Sequence, residues 1–325
     1  MHRVVSLFCG CGGADLGTIG GFVFNSKEYA RQPCKLVYAC DIDQKAIDSH
    51  KLNFHAEKAV CADICEVDAK DIPECDILTG GFPCQSFSTV NPTKDPFDDR
   101  ANLYKQMVRV VKAKQPKVFI AENVKGMMTL HKGEIFNRVL SAFRSAGYTT
   151  FHSLINAADY GVPQKRERVI IVGIRNDLYE KKGNFHFPPK TTAESWVPLS
   201  VAVPRLAIDE KKYYFSEKAV QGMKNAKKNM KRGLAQNLDE PCLTVTSHLA
   251  KVSLNSRDPV LLVDPEKELY RRFTPLEAAR IQSFPDSFKF AGTETTAYKQ
   301  IGNAIPPVMF WHITDAVVKY LEDTL

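Results

Sequence analysis

The cysteine at position 84 is the residue whose surroundings most favour chemistry over packing. Residues 80–88 have the sequence Gly-Gly-Phe-Pro-Cys-Gln-Ser-Phe-Ser and follow a short β-like run over 76–79. Two glycines allow a sharp turn after a strand, and a proline fixes the backbone just before the cysteine. A lone cysteine is more often a small buried hydrophobe, but these polar and turn-forming neighbours favour a nucleophilic thiolate. We expect it at the carboxyl edge of a sheet, where α/β proteins bind their ligands.

Ionisable residues stand at two further predicted strand ends. Glu122 follows a short apolar run, and a carboxylate there is either a helix cap or, beside a nucleophile on a neighbouring strand, a general acid. Arg166 and Arg168 alternate directly before the apolar run 169–173, so we expect them to point to the same side of the chain. A structural ion pair with Glu167 or another acid is the alternative for these arginines.

The first three predicted strands each end in a feature typical of nucleoside binding. A glycine-rich stretch over 9–17 follows the strand over 3–8, and Asp41 and Asp63 follow the next two apolar runs. Glycines let the backbone approach a ligand closely, and an acid after the second strand typically accepts hydrogen bonds from ribose hydroxyls. No Gly-Lys-Ser/Thr follows the glycines, which excludes a P-loop. Each feature alone is more often an ordinary loop, but their order along the chain favours a nucleoside-containing cofactor.

Strand-like and helix-like stretches alternate up to about residue 183, which predicts an α/β fold with a doubly wound sheet. This part includes a predicted helix over 103–114 and a predicted strand over 147–155. The composition then changes, and we interpret residues 194–276 as a smaller mixed domain. It has a predicted helix that begins at Ser216 and a β-rich stretch over 243–262.

The last part of the chain has clear helix signals. Thr274, Pro275 and Glu277 combine an N-cap residue, a proline at the first helical position and a capping box. A final apolar helix is predicted to end near Tyr320.

The composition is that of a soluble globular protein. The chain has 325 residues, of which 44% are hydrophobic and 25% are charged. It has no run of about 18 apolar residues and no signal-peptide core, so we expect a cytoplasmic protein without a membrane span. The nine cysteines are an odd number and lack the spacing of a zinc site. We therefore expect free thiols and no metal.

The net charge of +7 is concentrated in one segment. Residues 205–232 contain nine Lys or Arg against three Asp or Glu, a net charge of +6, and the rest of the chain is nearly neutral. A concentrated basic segment is typical of a protein that binds a polyanion. A solvated helix face is the alternative that the charge alone leaves open.

Six segments resemble, in chain order, the motif series of the DNA (cytosine-5)-methyltransferases, and in particular the compact prokaryotic enzymes of restriction-modification systems. Residues 8–13 (Phe-Cys-Gly-Cys-Gly-Gly) resemble the glycine motif of the cofactor site, and residues 81–85 resemble the nucleophile motif. The other four segments are 122–124, 164–168, 271–285 and 300–303. The resemblance covers essentially the whole chain apart from 194–270, where the family varies.

The resemblance implies a doubly wound, Rossmann-like S-adenosyl-L-methionine-dependent methyltransferase domain over 1–193. It further implies a second, smaller target-recognition domain over 194–276 and a C-terminal return to the catalytic domain over 277–325. Such an enzyme methylates C5 of a cytosine in double-stranded DNA, releases S-adenosyl-L-homocysteine and uses no metal. Thr244-Val245 resembles a short motif that the family keeps in its recognition domain.

The resemblance also implies roles for individual residues. Cys84 would attack C6 of the cytosine and make C5 nucleophilic, and Glu122 would contact N3 and the amino group and supply a proton. Arg166 would contact the base carbonyl and Arg168 would help to hold the site. The base must be flipped out of the duplex to meet the cysteine, and residues 85–102 would close over it.

Ten residues are implied as contacts of the cofactor. Asp41 differs from the Glu of many relatives, but the shorter acid should still reach the ribose. The ten residues are Phe8, Gly10, Asp41, Ile42, Asp63, Ile64, Pro83, Leu103, Asn303 and Ile305.

Two alternatives remain open, a tRNA cytosine-5 methyltransferase of the same fold and a catalytically inactive DNA-binding homologue. The tRNA enzymes usually show Pro-Pro-Cys-Gln and Cys-Phe-Thr signatures, which this chain lacks. An inactive homologue is disfavoured because the chain has all four predicted catalytic residues, Cys84, Glu122, Arg166 and Arg168. An amino-methyltransferase is excluded, because neither Pro-Pro pair of the chain has the flanking residues that such enzymes need.

The expected partner is double-stranded DNA, which would place the protein with the nucleoid of a prokaryote or with a phage genome. A paired restriction endonuclease is a hypothesis that rests on the habits of the family alone, and we expect a monomer. The spacing of residues does not reveal the recognition sequence, because base readout depends on which side chains of 194–276 enter the major groove.

Overall fold

The computed structural model describes residues 1–83, 103–226, 235–251 and 259–323. The predicted nucleophile Cys84 and the stretch 85–102 lie outside these ranges, and so does part of the basic segment. The strands of the described residues are β1 (His2–Leu7), β2 (Phe22–Phe24), β3 (Lys27–Tyr29), β4 (Cys34–Asp41), β5 (Lys58–Cys61), β6 (Ile77–Gly80), β7 (Val118–Val124), β8 (Tyr148–Asn156), β9 (Gln164–Lys165), β10 (Glu167–Arg175), β11 (Cys242–Leu243), β12 (Leu261–Asp264) and β13 (Leu269–Arg271). The α-helices are α1 (Gly13–Ile19), α2 (Gln44–Asn53), α3 (Tyr104–Lys114), α4 (Glu134–Arg144), α5 (Asn176–Lys182), α6 (Glu217–Ala226), α7 (Pro275–Ile281), α8 (Glu294–Asn303) and α9 (Pro307–Glu322).

Seven strands form one sheet in the order β5-β4-β1-β6-β7-β10-β8. The first five are parallel to one another, and β10 pairs antiparallel with both β7 and β8. This sheet confirms the predicted α/β class with a doubly wound, Rossmann-like core. The sequence pattern does not predict the reversed direction of β10, because a buried apolar run suits either direction.

Helices cover both faces of the sheet, since successive residues of a strand point to opposite sides. On β1, Val5 packs in one apolar cluster with α3 and α4, whereas Val4 packs in a second cluster with α9. α9 also lies directly on α1. A Cβ built at Gly17 would lie 2.5 Å from the carbonyl oxygen of Pro307, so this approach of the two helices requires glycine.

A third apolar cluster joins the segments before and after α7. Leu199, Val245 and Leu261 pack there with Phe284 and Ile301, which follow the helix. The predicted domain boundary between residues 276 and 277 therefore falls inside a helix and within a shared core.

The predicted start of α7 is confirmed. The side chain of Thr274 accepts a hydrogen bond from the backbone N–H of Glu277 at 3.2 Å, and Glu277 accepts one from the backbone N–H of Thr274 at 2.8 Å. The helix ends at Ile281, before the next proline. No α-helix in the described ranges is both long enough and apolar enough to cross a membrane.

Within the described part of the predicted β-rich stretch over 243–262, strand residues occur only at the two ends, and Leu249–Lys251 form a 3-10 turn. Residues 244–248 belong to no strand or helix. The hydroxyl of Thr244 donates to the carbonyl of Lys165 at 2.8 Å, and the N–H of Val245 donates to the side chain of Gln164 at 2.8 Å. The contacts that hold this stretch therefore involve side chains rather than a strand ladder.

We expect Gly173→Ala to destabilise the fold. A Cβ built at Gly173 on β10 would lie 1.9 Å from Cε1 of Phe119, a fully buried ring on β7 that stacks on Phe143. Overpacking of this kind should lower the free energy of unfolding by about 1–3 kcal/mol, measured by urea unfolding. Gly126→Ala is the control, because a Cβ at Gly126 meets nothing within 4 Å. An equal effect of both substitutions would contradict this packing.

Candidate active site

Five neighbouring strands bring the predicted site residues to one edge of the sheet. Asp63 follows β5, Asp41 ends β4, Phe8 follows β1, Pro83 follows β6 and Glu122 lies near the end of β7. Because these strands are parallel, their carboxyl ends lie side by side. The five residues line a single cleft of about 710 Å³.

Every predicted site residue in the described part of the chain lines this cleft. The nucleophile candidate Cys84 lies outside the described residues, but Pro83, which precedes it in the chain, is on the wall. The lining includes the predicted catalytic residues Glu122, Arg166 and Arg168 and the predicted cofactor contacts Phe8, Gly10, Asp41, Ile42, Asp63, Ile64, Pro83, Leu103, Asn303 and Ile305. The residues predicted to bind the cofactor and those predicted to act on the base therefore line the same cleft. Their individual roles stay predictions.

The glycine-rich turn after β1 holds Asp41 in place. Oδ2 of Asp41 accepts a hydrogen bond from the N–H of Gly10 at 2.8 Å, and Oδ1 accepts one from the N–H of Asp43 at 2.9 Å. Gly10 has a φ of 55°, which favours glycine. Burial raises the pKa of Asp41, although the two backbone hydrogen bonds oppose this shift. Each carboxylate oxygen can accept a further hydrogen bond, so Asp41 fits the predicted contact with ribose hydroxyls.

Apolar side chains lie near Asp41 at this end of the cleft. Ile64 is buried, Phe8 and Leu103 are half-buried, and Ile42 is 69% exposed. Binding sites for small molecules are mostly apolar, with a few placed polar groups. This end of the cleft therefore fits the adenine and ribose of the predicted cofactor.

Glu122 and Arg168 form an ion pair at the other end of the cleft. Nε of Arg168 lies 2.9 Å from Oε1 of Glu122, and both side chains are largely buried. The two residues stand on the antiparallel neighbours β7 and β10. The pair presents a carboxyl group beside N–H donors, which matches the ring nitrogen, amino group and carbonyl on one edge of a cytosine.

Arg166 also lines the cleft, as the alternation with Arg168 predicts, but its surroundings are different. Its side chain is buried. Nη1 donates to the carbonyl of Val245 at 3.0 Å, and Nη2 donates to the carbonyls of Gly302 and Ala304 at 3.1 and 3.0 Å. Burial lowers the pKa of Arg166 well below its usual value, and the charge of Arg168 adds to this shift. Both terminal nitrogens thus bind backbone carbonyls, whereas Nε is buried without a hydrogen-bond partner, and the contact of Arg166 with the base carbonyl stays a prediction.

Asn123 is a positioning residue to which the sequence analysis gives no role. Its Nδ2 donates to the carbonyl of Phe82 at 2.9 Å, and its Oδ1 accepts from the N–H of Val124 at 2.8 Å. The side chain is buried. Asn123 therefore fixes the backbone at the position two residues before Cys84 in the chain. Its place in the Glu-Asn-Val motif is the sequence signal that could have indicated a positioning role.

Two buried glutamines, Gln164 and Gln282, also connect chain segments around the cleft through hydrogen bonds. Nε2 of Gln164 donates to Oε1 of Gln282 at 2.8 Å, and Nε2 of Gln282 donates to the carbonyl of Ile301 at 2.7 Å. Oε1 of Gln164 accepts the N–H of Val245. Satisfied buried networks of this kind fix the relative positions of the segments they join. The sequence gives no partner for either amide, so this network could not be predicted.

Cys9, Asp15 and His50 bring three potential metal-ligand atoms within 4.8 Å of one another beside the glycine-rich turn. Nε2 of His50 lies 3.0 Å from Oδ2 of Asp15, and both side chains are fully buried. Burial holds the pKa of the Cys9 thiol well above its usual value, which opposes the thiolate that a metal requires. We interpret the contact of Asp15 with His50 as a buried hydrogen bond between α1 and α2, and the absence of a metal stays a prediction.

A second concave surface, which we call the lysine groove, adjoins the cleft at Arg168 and has a volume of about 440 Å³. Lys125 and Lys165 line it. Lys125 is 2.9 Å from Glu167, and Lys165 is 2.8 Å from Glu240. Exposed ion pairs contribute only about 0–1 kcal/mol, so a phosphate can replace these carboxylates at little cost.

The sheet and its cleft define the class of protein, a Rossmann-like α/β fold with a ligand cleft at the carboxyl ends of its parallel strands. The crystal structure of the Dnmt2 methyltransferase of S. pombe matches the chain with a TM-score of 0.73 and 21% sequence identity, over 100% of both chains. An identity this low shows the fold alone.

Comparison with protein families then identifies the group. The model of the C-5 cytosine-specific DNA methylases matches residues 2–319. The chain is 33% identical over 309 residues to the Type II methyltransferase M.NlaX of Neisseria lactamica, covering 94% of this chain and 92% of that protein. It is 34% identical over 373 residues to the Type II methyltransferase M.BsuRI of Bacillus subtilis, covering 99% and 81%. The chain therefore belongs to the C-5 cytosine-specific DNA methylase family and is a DNA (cytosine-5)-methyltransferase.

We expect replacement by methionine to reduce mainly the stability of the fold at Arg166 and mainly the rate of methylation at Arg168. Arg166→Met removes the side-chain donor of the Val245 and Gly302 carbonyls, leaves the Ala304 carbonyl only Gln282 at 3.3 Å, and should lower the free energy of unfolding by at least about 3 kcal/mol. Arg168→Met should lower it by less than half as much, but should reduce kcat/KM for methylation on the order of 100-fold. Urea unfolding and a methyl-transfer assay measure the two effects. The reverse pattern would contradict the division of roles between the arginines.

Proposed function

We propose that this chain transfers a methyl group from S-adenosyl-L-methionine to C5 of a flipped-out cytosine in a specific short sequence of double-stranded DNA. The reaction proceeds through a covalent bond between Cys84 and C6 of the base. One observation carries this proposal: the residues for the cofactor and the residues for the base line a single cleft. Both ligands can therefore meet without a rearrangement of the sheet.

The cofactor is held at the end of the cleft formed by β4 and β5. Asp41 would accept hydrogen bonds from the ribose, and Phe8, Ile42 and Ile64 would contact the adenine. S-adenosyl-L-methionine supplies an electrophilic methyl group when it is bound and leaves as S-adenosyl-L-homocysteine. No metal takes part.

The base is held at the end formed by β7 and β10. Glu122 hydrogen-bonds N3 and the amino group, and we assign the contact with the base carbonyl to Arg168, which stands beside it. Arg166 holds the surrounding backbone. This assignment exchanges the roles of the two arginines that the family resemblance implies, because the terminal nitrogens of Arg166 are engaged elsewhere.

The chemistry requires a nucleophile because C5 of cytosine does not react with a methyl donor by itself. The thiolate of Cys84 adds to C6 while Glu122 gives a proton to N3, which converts the ring into an enamine with a nucleophilic C5. After methylation a base removes the C5 proton, the electron pair re-forms the C5–C6 double bond, Cys84 leaves with the electrons of its bond to C6, and the N3 proton returns to the Glu122 carboxylate. A water molecule can serve as that base.

The duplex lies across the mouth of the cleft and the lysine groove. Lys125 and Lys165 contact phosphates beside the flipped nucleotide, and residues 194–276 act as the target-recognition domain that reads the sequence. Support comes from the shared residue Arg168, which lines both the cleft and the groove.

The relatives named above are Type II methyltransferases of bacteria, so we propose that the chain modifies DNA in the cytoplasm of a prokaryote or on a phage genome. Pairing with a restriction endonuclease follows the same analogy, and the enzyme acts as a monomer. A tRNA substrate is the weaker alternative, because the matching family is described by its action on DNA. The retained pair of Glu122 and Arg168 argues against an inactive homologue.

Bisulfite sequencing of the whole genome of a methylation-free bacterial host that expresses the chain tests this function. We expect one protected cytosine within one recurring short sequence. If the protein bound S-adenosyl-L-methionine but protected no cytosine, DNA methylation would be contradicted and an RNA substrate or an inactive homologue would be favoured.

We expect Cys84→Ser to abolish protection in the same host while leaving DNA binding within about twofold, because a serine hydroxyl is a far weaker nucleophile than a thiolate. Cys75→Ser is the control, since Cys75 is half-buried and does not line the cleft. Residual methylation by the Cys84 variant would show that another residue is the nucleophile.

We expect Lys125→Gln to weaken DNA binding at low salt and to reduce the slope of log K against log salt by about one unit. Glu167→Gln should have the opposite effect on affinity, because it removes the carboxylate that competes with phosphate for Lys125. The control is Lys35→Gln, an exposed lysine paired with Glu57 near the amino end of β4, away from the cleft. Equal slopes for the Lys125 and Lys35 variants would contradict a phosphate contact in the lysine groove.

A further inference from the structure

The spatial order of the strands determines which residues lie along a cofactor bound in the cleft. Asp41 stands at β4 and Glu122 at β7, and β1 and β6 lie between them. Neighbouring strands are about 4.8 Å apart. A ligand whose ribose is bound at Asp41 and whose sulfur lies near the base must therefore cross the ends of β1 and β6.

Two hydroxyl groups line the cleft on those two strands. Ser6 on β1 and Thr79 on β6 are paired residues of the parallel ladder, and both line the cleft although they are only 2% and 1% exposed. Oγ1 of Thr79 is buried and has no hydrogen-bond partner. Buried polar groups without a partner are unfavourable and uncommon, so the Thr79 hydroxyl requires an explanation.

The two hydroxyls lie on the side of the sheet that α9 covers. Val4 and Ile77, two residues earlier on the same strands, belong to the apolar cluster of that side. The segment that contains Ile305 also lines the cleft and approaches the glycine-rich turn closely, because a Cβ built at Gly13 would lie 2.4 Å from the carbonyl oxygen of Ile305. This part of the cleft therefore lies beside the Ile305 segment, on strands other than those that carry Asp41 and Asp63.

Most of the charged nitrogens that line the described cleft have partners, but Nε of Arg166 is buried without one. Lys299 is 2.7 Å from Asp43, and Arg168 is paired with Glu122. The terminal nitrogens of Arg166 donate to backbone carbonyls. A carboxylate at the ends of β1 and β6 would therefore have to break an ion pair, reach Nε of Arg166 or bind uncharged donors, and Ser6 and Thr79 offer uncharged donors on these two strands.

We infer that the hydroxyls of Thr79 and Ser6 bind the aminobutyrate arm of S-adenosyl-L-methionine, with Thr79 donating to its carboxylate. The arm branches from the sulfur, which is the part of the cofactor that must lie at β1 and β6. A hydroxyl can donate to a carboxylate and accept from an ammonium group, so this pair suits both ends of the amino acid. The inference rests on the proposed function and adds residues that the family motifs do not assign to the cofactor.

Calorimetric titration of the whole chain with two ligands tests this inference. S-adenosyl-L-homocysteine carries the arm, and 5′-deoxy-5′-methylthioadenosine keeps the adenosine and the sulfur but lacks the arm. Thr79→Val removes the hydroxyl and preserves the shape of the side chain. Thr314→Val is the matched control, because Oγ1 of Thr314 is also buried without a partner but lies on α9 and does not line the cleft.

We expect Thr79→Val to weaken binding of S-adenosyl-L-homocysteine about tenfold and to change binding of the shorter ligand less than twofold. Ser6→Ala should act in the same direction, Thr79→Ser should restore most of the affinity, and the control should affect neither ligand. The melting temperature of the ligand-free Thr79→Val protein should not fall, since the hydroxyl has no partner to lose.

Two results would overturn the inference. An equal loss for both ligands would show that Thr79 acts through packing, and unchanged affinity for S-adenosyl-L-homocysteine would show that its hydroxyl makes no contact with the arm. A wild-type chain that bound neither ligand would contradict the proposed function itself, and the inference with it.

Discussion

The parallel alignment of five strands is the constraint on which the rest of this structure depends. Because β5, β4, β1, β6 and β7 all end at one edge of the sheet, residues far apart in the chain meet in a single cleft. The strand order also separates two kinds of chemistry. Acids and apolar side chains suited to a nucleoside stand at β4 and β5, and the ion pair of Glu122 with Arg168 stands at β7 and β10.

A buried cation holds the remaining walls of this cleft together. Removing a guanidinium group from water is costly, and the three carbonyls that Arg166 binds offset part of that cost. Those carbonyls belong to two separate segments, one at Val245 and one over 302–304. The amides of Gln164 and Gln282 connect the same segments a second time. The proposed recognition domain is thus attached to the cofactor wall through buried polar contacts, which fix geometry more strictly than apolar packing alone.

Much of the fold and the membership of the cleft could be predicted from the sequence. Apolar runs followed by glycines or acids mark strand ends, and the capping residues at Thr274 mark a helix start, because these signals are local. The reversed direction of β10 and the irregular backbone after Thr244 could not be predicted, since each depends on partners distant in the chain. For the same reason the sequence could not separate Arg166 from Arg168, although only one of them stands beside Glu122. The unpartnered hydroxyl of Thr79 becomes visible only when its neighbours are known.

The most direct measurement is mass spectrometry of the protein after incubation with a duplex that carries 5-fluorocytosine at the methylated position. Fluorine cannot be removed as a proton, so addition of Cys84 followed by methylation should leave the protein joined to the DNA. We expect a complex with the mass of protein, duplex and one methyl group, formed only with S-adenosyl-L-methionine, and a Cys84 peptide that carries the nucleotide. A complex at another residue, or methylated DNA released without a covalent complex, would contradict a shared cleft in which Cys84 acts on the base.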